Sequence, residues 1–323
     1  MSTDRLLADI GGTHARFALQ GGAGAPLADL RVLPTAAHAG IEAAIDAYLR
    51  DVQRPVPAHC AIAIATAITG DEVAMTNHPW RFSIRALQQR FGFAQLRVIN
   101  DFTALALALP LLSRDVLRQI GGGAPVAERA IALIGPGTGL GVSGLVPVAG
   151  ADGRTAWAPL QGEGGHVTLA AHDEREDAVI ALLRKRFGHA SAERALSGPG
   201  LVNLHAAVVA LAHGSALQAE LPAPEITRRA VAGDAQCRRA IELFSALLGT
   251  VAGNLALTLG ALGGVYIGGG IVLRLGDAFD RTLFRRRFEA KGRFAPYLAA
   301  IPVYVIDADA SPALIGAGRA LES

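Results

Sequence analysis

The chain has 323 residues, of which 51% are hydrophobic and 18% charged, with a formal net charge of +2. That length allows two domains, each with its own core, and that balance argues against a disordered or nucleic-acid-coating protein. Its two lysines, Lys185 and Lys291, lie outside any G-x-x-x-x-G-K-[ST] run, which excludes a P-loop, and Cys60 and Cys237 form no C-x-x-C pair, which suits a reduced compartment.

Residues 1–5 lead straight into an apolar run with no charged-then-apolar leader, so export is not expected. Leu6-Leu7-Ala8-Asp9-Ile10 reads as a buried strand, Gly11-Gly12-Thr13 as a turn, and Arg16 to Leu19 as the returning strand of a hairpin. Glycines at the tip let backbone N–H groups approach a polyphosphate, and the Thr13 hydroxyl can donate to a phosphate oxygen. Asp9 would then hold Mg²⁺, directly or through water. Taken alone, the stretch reads equally as an ordinary glycine hairpin whose Asp9 caps the turn. A strand over 29–33, an amphipathic helix over 41–48 and a strand over 60–65 follow. A short strand at 73–75 precedes an irregular loop, Asn77-His78-Pro79-Trp80. Ser83 caps a helix to Phe91, and a strand over 96–99 runs into Asn100-Asp101 and a helix over 102–109. Asp101 by position is a helix N-cap or a catalytic base, and Pro110 ends that helix.

The second half repeats the opening. Ile131-Ala132-Leu133-Ile134 leads into Gly135-Pro136-Gly137-Thr138-Gly139 and on to a strand at 145–148. Two phosphate-type hairpins in one chain suggest a nucleotide held by two related halves. Gly139 to Gly144 also satisfies G-x-G-x-x-G, but a strand follows where a dinucleotide fold needs a helix, so a dehydrogenase is not expected. Gly162-Glu163-Gly164-Gly165-His166 sets a carboxylate and an imidazole three residues apart on a flexible loop, which suits the vicinal hydroxyls of a sugar. A zinc site with His172 as third ligand is the other reading. Helices are expected over 178–187, 199–211, 225–232 and 235–259, with Glu193 in a first helical turn favoured by the dipole. No charge occurs between Leu243 and Leu273; the polar and glycine content favours a buried helix and strand over a membrane span. The strand 264–267 ends in Gly268-Gly269-Gly270, a seat for the α-phosphate and adenosine at the start of a helix near Ile271. Arg285-Arg286-Arg287 reads as a solvated face, and a strand over 301–306 and a helix over 312–321 close the chain.

Asp9 to Thr13, Met75 to His78, Ile99 to Thr103, Gly135 to Gly141, Gly162 to His166, Ser191 to Arg194, Leu196 to Gly200 and Gly268 to Gly270 together resemble the ATP-dependent bacterial glucokinases of the proteobacterial type over nearly the whole chain. The resemblance implies an α/β, two-domain actin-like ATPase (ribonuclease H-like) fold with a cleft between domains 1–110 plus 302–323 and 111–301. It implies transfer of phosphate from ATP to the C6 hydroxyl of glucose in the cytoplasm, feeding glycolysis. Asp101 would be the base; Asn100, Glu163, His166 and Glu193 would hold the sugar. Asp9, Ile10, Gly11, Gly12, Thr13, His14, Gly137, Thr138, Gly139, Gly269 and Gly270 would hold the nucleotide, with Asp9 on Mg²⁺. The expected partners are a small-molecule sugar and a nucleotide, with no nucleic acid and no membrane, and a homodimer is left open. Other readings on the same fold are a sugar-sensing regulator, which would need an N-terminal helix-turn-helix, an actin-like assembly protein, or a kinase of another hexose. Two departures from the family stand out: His14 where asparagine is common and Ala67 where proline is usual.

Overall fold

A computed structural model describes residues 4–76, 78–150, 155–214, 221–308 and 312–322. The chain divides into two units, residues 1–114, 159–161 and 308–323, and residues 115–158 and 162–307.

In the first unit, strands β1 (Arg5–Ile10), β2 (His14–Gln20) and β3 (Leu27–Pro34) precede helix α1 (Ile41–Asp51) and strand β4 (His59–Ile64). A small pair, β5 (Glu72–Ala74) and β6 (Arg81–Ser83), then leads to α2 (Ile84–Phe91), β7 (Gln95–Asn100) and α3 (Asp101–Ala108). The main sheet runs β3-β2-β1-β4-β7, antiparallel across β3, β2 and β1 and parallel across β1, β4 and β7. A central parallel strand is covered on both faces, so it should be apolar throughout rather than alternating. Leu6, Leu7 and Ala8 of β1 and Cys60 through Ile64 of β4 are accordingly all buried. One face carries the bulk, with Ile10, Phe17, Ile41, Ile45, Tyr48 and Ile62 in one cluster. The other face is built from small residues, Ala18, Ala61, Ala63 and Ala104 among them. That small face lets the last helix, Pro312–Arg319, lie very close to α3: a side chain at Gly316 would collide with the Ala104 carbonyl.

The second unit contains strands β8 (Leu117–Ile120), β9 (Ile131–Pro136), β10 (Leu140–Ala149) and β11 (Thr155–Gln161), whose last three residues group with the first unit. Helices α4 (Glu174–Phe187), α5 (Gly198–His213), α6 (Ala223–Val231) and α7 (Ala235–Leu259) follow, then β12 (Val265–Ile267), α8 (Ile271–Leu275), α9 (Arg281–Glu289), α10 (Ala295–Ala299) and β13 (Val303–Ile306). Helix α11 is the returning segment Pro312–Arg319. The sheet order is β11-β10-β9-β12-β13-β8. The β9–β10 pair is antiparallel and β9, β12 and β13 are parallel, so the first unit's core pattern recurs with β8 added antiparallel at the edge. This recurrence is the tertiary form of the repeated glycine hairpin.

The uncharged stretch resolves into α7, a glycine turn and β12. Helix α7 is long and apolar enough to cross a membrane by length and composition, yet Phe244, Leu247, Leu248 and Ala252 are buried in the core of the second unit. Gly249 and Gly253 of α7 leave no room for a side chain against the Phe284 and Phe288 carbonyls of α9, which is why the two helices can cross so closely.

The sequence marks neither β8 nor β11, because Leu117-Arg118-Gln119-Ile120 is too short to show a period and β11 mixes exposed and half-buried positions. Three expectations are corrected. Helix α4 begins four residues earlier than its apolar period, because Asp173 accepts from the Arg175 and Glu176 N–H groups as an N-cap. The arginine run on α9 is not a solvated face: Arg286 is exposed, but Arg285 and Arg287 are 8% and 6% exposed. Arg285 donates to the carbonyls of Ile301, Leu298 and Ala299 and pairs with Glu289, while Arg287 makes a bidentate pair with Glu176. Helix α8 has only five residues, so little dipole stands behind Gly270.

Candidate active site

In the first unit the β1–β2 hairpin closes with a bond from the Gly11 N–H to the His14 carbonyl, 2.9 Å. Thr35, fully buried, donates its hydroxyl to the Gly12 carbonyl at 2.9 Å and its N–H to the Thr13 carbonyl at 3.1 Å. It pins the tip through two of its carbonyls. Thr35 escaped the sequence reading because a lone threonine after Pro34 has no motif around it. Asp9, next to last on β1, is mostly buried and lies 3.4 Å from Arg16, its register partner on β2. The His14 side chain is exposed at the mouth of the turn.

At the end of β7, Asn100 and not Asp101 caps α3. The Asn100 Oδ1 accepts from the Phe102 and Thr103 N–H groups at 2.9 and 3.2 Å, and its Nδ2 donates to the Thr66 carbonyl at 3.3 Å. The cap reading of Asp101 is thereby overturned. A helix needs one residue in extended backbone just before its first turn, and Asn100 holds that conformation at φ −62°, ψ 147°. Asp101 sits one residue inside, its Oδ1 accepting from the Phe102 N–H at 2.9 Å. Burial, and next the negative charge of Asp9, push its carboxyl from 3.8 up to about 7 against the lowering effect of those N–H groups. A carboxylate poised at that value is what general-base chemistry near neutral pH requires. In the loop ahead of β6, Asn77 lies outside the described residues; His78 meets Trp80 edge-on at 5.2 Å, and the Trp80 indole N–H donates to the His38 carbonyl.

In the second unit the β9–β10 turn is Gly137-Thr138-Gly139, closed by a bond from the Gly137 N–H to the Gly139 carbonyl at 2.8 Å. The Gly198 N–H at the start of α5 donates to the Gly137 carbonyl at 2.9 Å, and Thr138 is exposed at the tip. Gly269, at φ +74°, packs against the Pro136 carbonyl, so the second glycine turn braces the back of the hairpin. The exposed Arg274 guanidinium lies over Gly270 and brings a cation beside that turn. No motif marks it, and only the fold brings it there.

Glu163 precedes and His166 ends a single 3-10 turn, Gly164–His166, closed by the His166 N–H to the Glu163 carbonyl at 3.0 Å, and both side chains are exposed. Gly164 and Gly165 lie directly on Val142 and the Leu140 carbonyl of β10. Glu193 occupies a second 3-10 turn, Ala192–Arg194, and its Oε2 accepts from the Leu140 N–H at 2.9 Å. The segment after the first turn bridges the segment before the second at Thr168 and Ser191, through Leu169 N–H to the Ala190 carbonyl and Ala192 N–H to the Val167 carbonyl, both 2.9 Å. The turns that carry Glu163, His166 and Glu193 therefore meet at the base of the glycine hairpin. His172 instead lies at the entry to α4, its N–H donating to Glu176.

Among the described residues no three His, Cys, Asp or Glu side chains group as a metal site. A single carboxylate at a phosphate-type turn fits a divalent cation whose other ligands are phosphate oxygens and water, and Asp9, mostly buried, is such a carboxylate.

The glucokinase family model matches residues 6–323. A glucokinase of Aromatoleum aromaticum (strain DSM 19018 / LMG 30748 / EbN1) is 56% identical over 322 residues, 99% of this chain and 95% of its own. One of Chromobacterium violaceum is 53% identical over 313 residues, 97% and 87% of the two chains. The crystal structure of glucokinase from an Antarctic psychrotroph superposes with a TM-score of 0.88 at 35% identity, covering 100% of both chains.

Proposed function

This chain belongs to the glucokinase family, and from that premise we propose how its residues carry out the phosphorylation of glucose by ATP. It is an ATP-dependent glucokinase with the actin-like ATPase fold, and glucose and ATP are its substrates. The observation that carries the residue assignment is Asp101, a carboxylate in the first turn of α3 whose proton affinity is raised to about 7.

In this reading the turns Gly11-Gly12-Thr13 and Gly137-Thr138-Gly139 hold the phosphates of ATP, with Ile10 and His14 flanking the first turn and Gly269 and Gly270 toward the nucleoside. Asp9 would hold Mg²⁺, which when bound neutralises charge on the phosphates. Glu163, His166 and Glu193 bind the sugar hydroxyls, and Asn100, whose amide oxygen serves α3, contributes amide N–H. Asp101 accepts the proton of the C6 hydroxyl as that oxygen attacks the γ-phosphate in line, giving glucose 6-phosphate and ADP. Phosphoryl transfer asks for positioning and charge stabilisation more than covalent chemistry, and these residues supply both. We further propose that the product enters glycolysis in the cytoplasm, a setting that agrees with two free, buried cysteines.

The direct test is a coupled assay of glucose phosphorylation with Glu163→Ala and His166→Ala. Each substitution leaves sugar hydroxyls without a partner, so the apparent glucose KM is expected to rise at least about tenfold, with a smaller change in the KM for ATP. An unchanged glucose KM in both variants moves the sugar site elsewhere.

A further inference from the structure

The two loops assigned to the sugar grip one residue of the phosphate hairpin. Leu140 is the first residue of β10 after the Gly137-Thr138-Gly139 turn. Its N–H donates to Glu193 Oε2 at 2.9 Å. Its carbonyl lies where a side chain on Gly165 would be, in the turn that separates Glu163 from His166. The Leu140 side chain is itself buried in the core of the second unit, so the residue is held on three sides.

Position 139 shows the same constraint from the other direction. A side chain there would collide with Glu193 Oε2. A side chain at 139 would thus displace a carboxylate 54 positions along the chain. The backbone of Glu193 is anchored. Its own carbonyl accepts from the Ser197 hydroxyl at 2.9 Å, the same hydroxyl that caps α5 through the Gly200 N–H. The next residue, Arg194, is stacked over the Phe187 ring at 4.3 Å. The 3-10 turn is anchored behind, and its carboxylate reaches forward to the hairpin.

We propose that Glu193 is a positioning residue for the phosphate hairpin as well as a sugar contact. One oxygen fixes the Leu140 N–H and with it the Gly137-Thr138-Gly139 turn; the other faces the sugar, so that sugar and nucleotide occupancy are coupled through one carboxylate. The inference rests on the assignment of Glu193 to the glucose site and of the turn to the nucleotide. Charge-assisted hydrogen bonds to a backbone N–H are among the stronger local restraints. Removing this one leaves a buried donor unpaired at the base of the turn.

Two reciprocal binding measurements test the coupling by calorimetry. The first titrates the non-hydrolysable ATP analogue AMPPNP, with Mg²⁺, into sugar-free protein. Glu193→Ala is expected to weaken this binding about tenfold, whereas Glu193→Gln, which keeps an acceptor oxygen for Leu140, stays within about threefold of the wild type. The second titrates glucose into nucleotide-free Gly139→Ala, whose added methyl displaces Oε2. Glucose binding is expected to weaken about tenfold, although residue 139 is not a sugar contact. Wild-type AMPPNP affinity in Glu193→Ala, alongside weakened glucose binding, would reduce Glu193 to a sugar contact and overturn the coupling. If circular dichroism shows that Glu193→Ala fails to fold, the Gly139→Ala titration decides alone, and unchanged glucose binding there overturns the proposal. A wild-type protein that neither binds nor phosphorylates glucose refutes the site assignment itself, a result distinct from either of these.

Discussion

Asp101→Asn is expected to lower turnover about 10²- to 10⁴-fold while leaving the glucose KM within about tenfold. An amide and a carboxylate can both receive the hydrogen bond of the C6 hydroxyl, but only the carboxylate can take its proton. Because burial and then the charge of Asp9 raise the carboxyl to about 7, the wild-type kcat/KM should fall about tenfold per pH unit below that value and level off above it. The same shift makes a stability prediction of opposite sign. Between the ordinary value of 3.8 and about 7 the folded protein keeps a proton that the unfolded chain has lost. The contribution of Asp101 therefore declines as pH rises through that window and is constant above it. Asp101→Asn removes the cost of the buried charge, so its melting midpoint should exceed that of the wild type at pH 8, and the gap should close toward pH 4. Near-normal turnover in the variant, or a wild-type profile flat from pH 6 to 8, would reject Asp101 as the base.

Glu176→Ala is expected to destabilise the protein by about 3–5 kcal/mol, a drop in melting midpoint on the order of 10 °C. Glu176 and Arg287 are 2% and 6% exposed. Their two parallel bonds, 2.7 and 2.9 Å, join α4 to α9, and Arg287 also reaches the Thr250 hydroxyl of α7 at 2.9 Å. Removing the carboxylate strands a guanidinium in the core and frees the His172 N–H that also donates to Glu176. Lys291 aggravates the loss: burial first, and then the nearby Arg287 charge, already hold its ammonium below the usual lysine range. A bridge of this kind costs desolvation that its attraction only partly offsets, so Glu176→Met combined with Arg287→Met should cost less than Glu176→Ala alone. Thermal or urea unfolding of the variants measures both. A Glu176→Ala protein as stable as the wild type would show that the pair does not hold the three helices together.

The residues alone determined what is local. A buried apolar run ending in glycines makes a hairpin wherever it occurs, because the strand period and the turn chemistry lie within a dozen adjacent residues, and so both hairpins were legible at Gly11-Gly12 and Gly137-Thr138-Gly139. The same holds for the Ser83 cap of α2 and for the G-x-G-x-x-G match at Gly139 to Gly144, which lies in the turn and strand β10 rather than opening a helix. What only the tertiary structure decided depends on groups distant in the chain. Three consecutive arginines carry no sign of which will be buried; α9 presses Arg285 on the carbonyls of Leu298, Ala299 and Ile301 and Arg287 on Glu176, 111 residues away, while Arg286 alone faces water. Asn100 and Asp101 are equivalent as cap formers until the backbone enters the helix at one of them. The proton affinity of Asp101 depends on its burial and on Asp9 of β1, and Gly139 lies against the Glu193 carboxylate. Charge and steric exclusion act through space, and periodicity registers only neighbours along the chain.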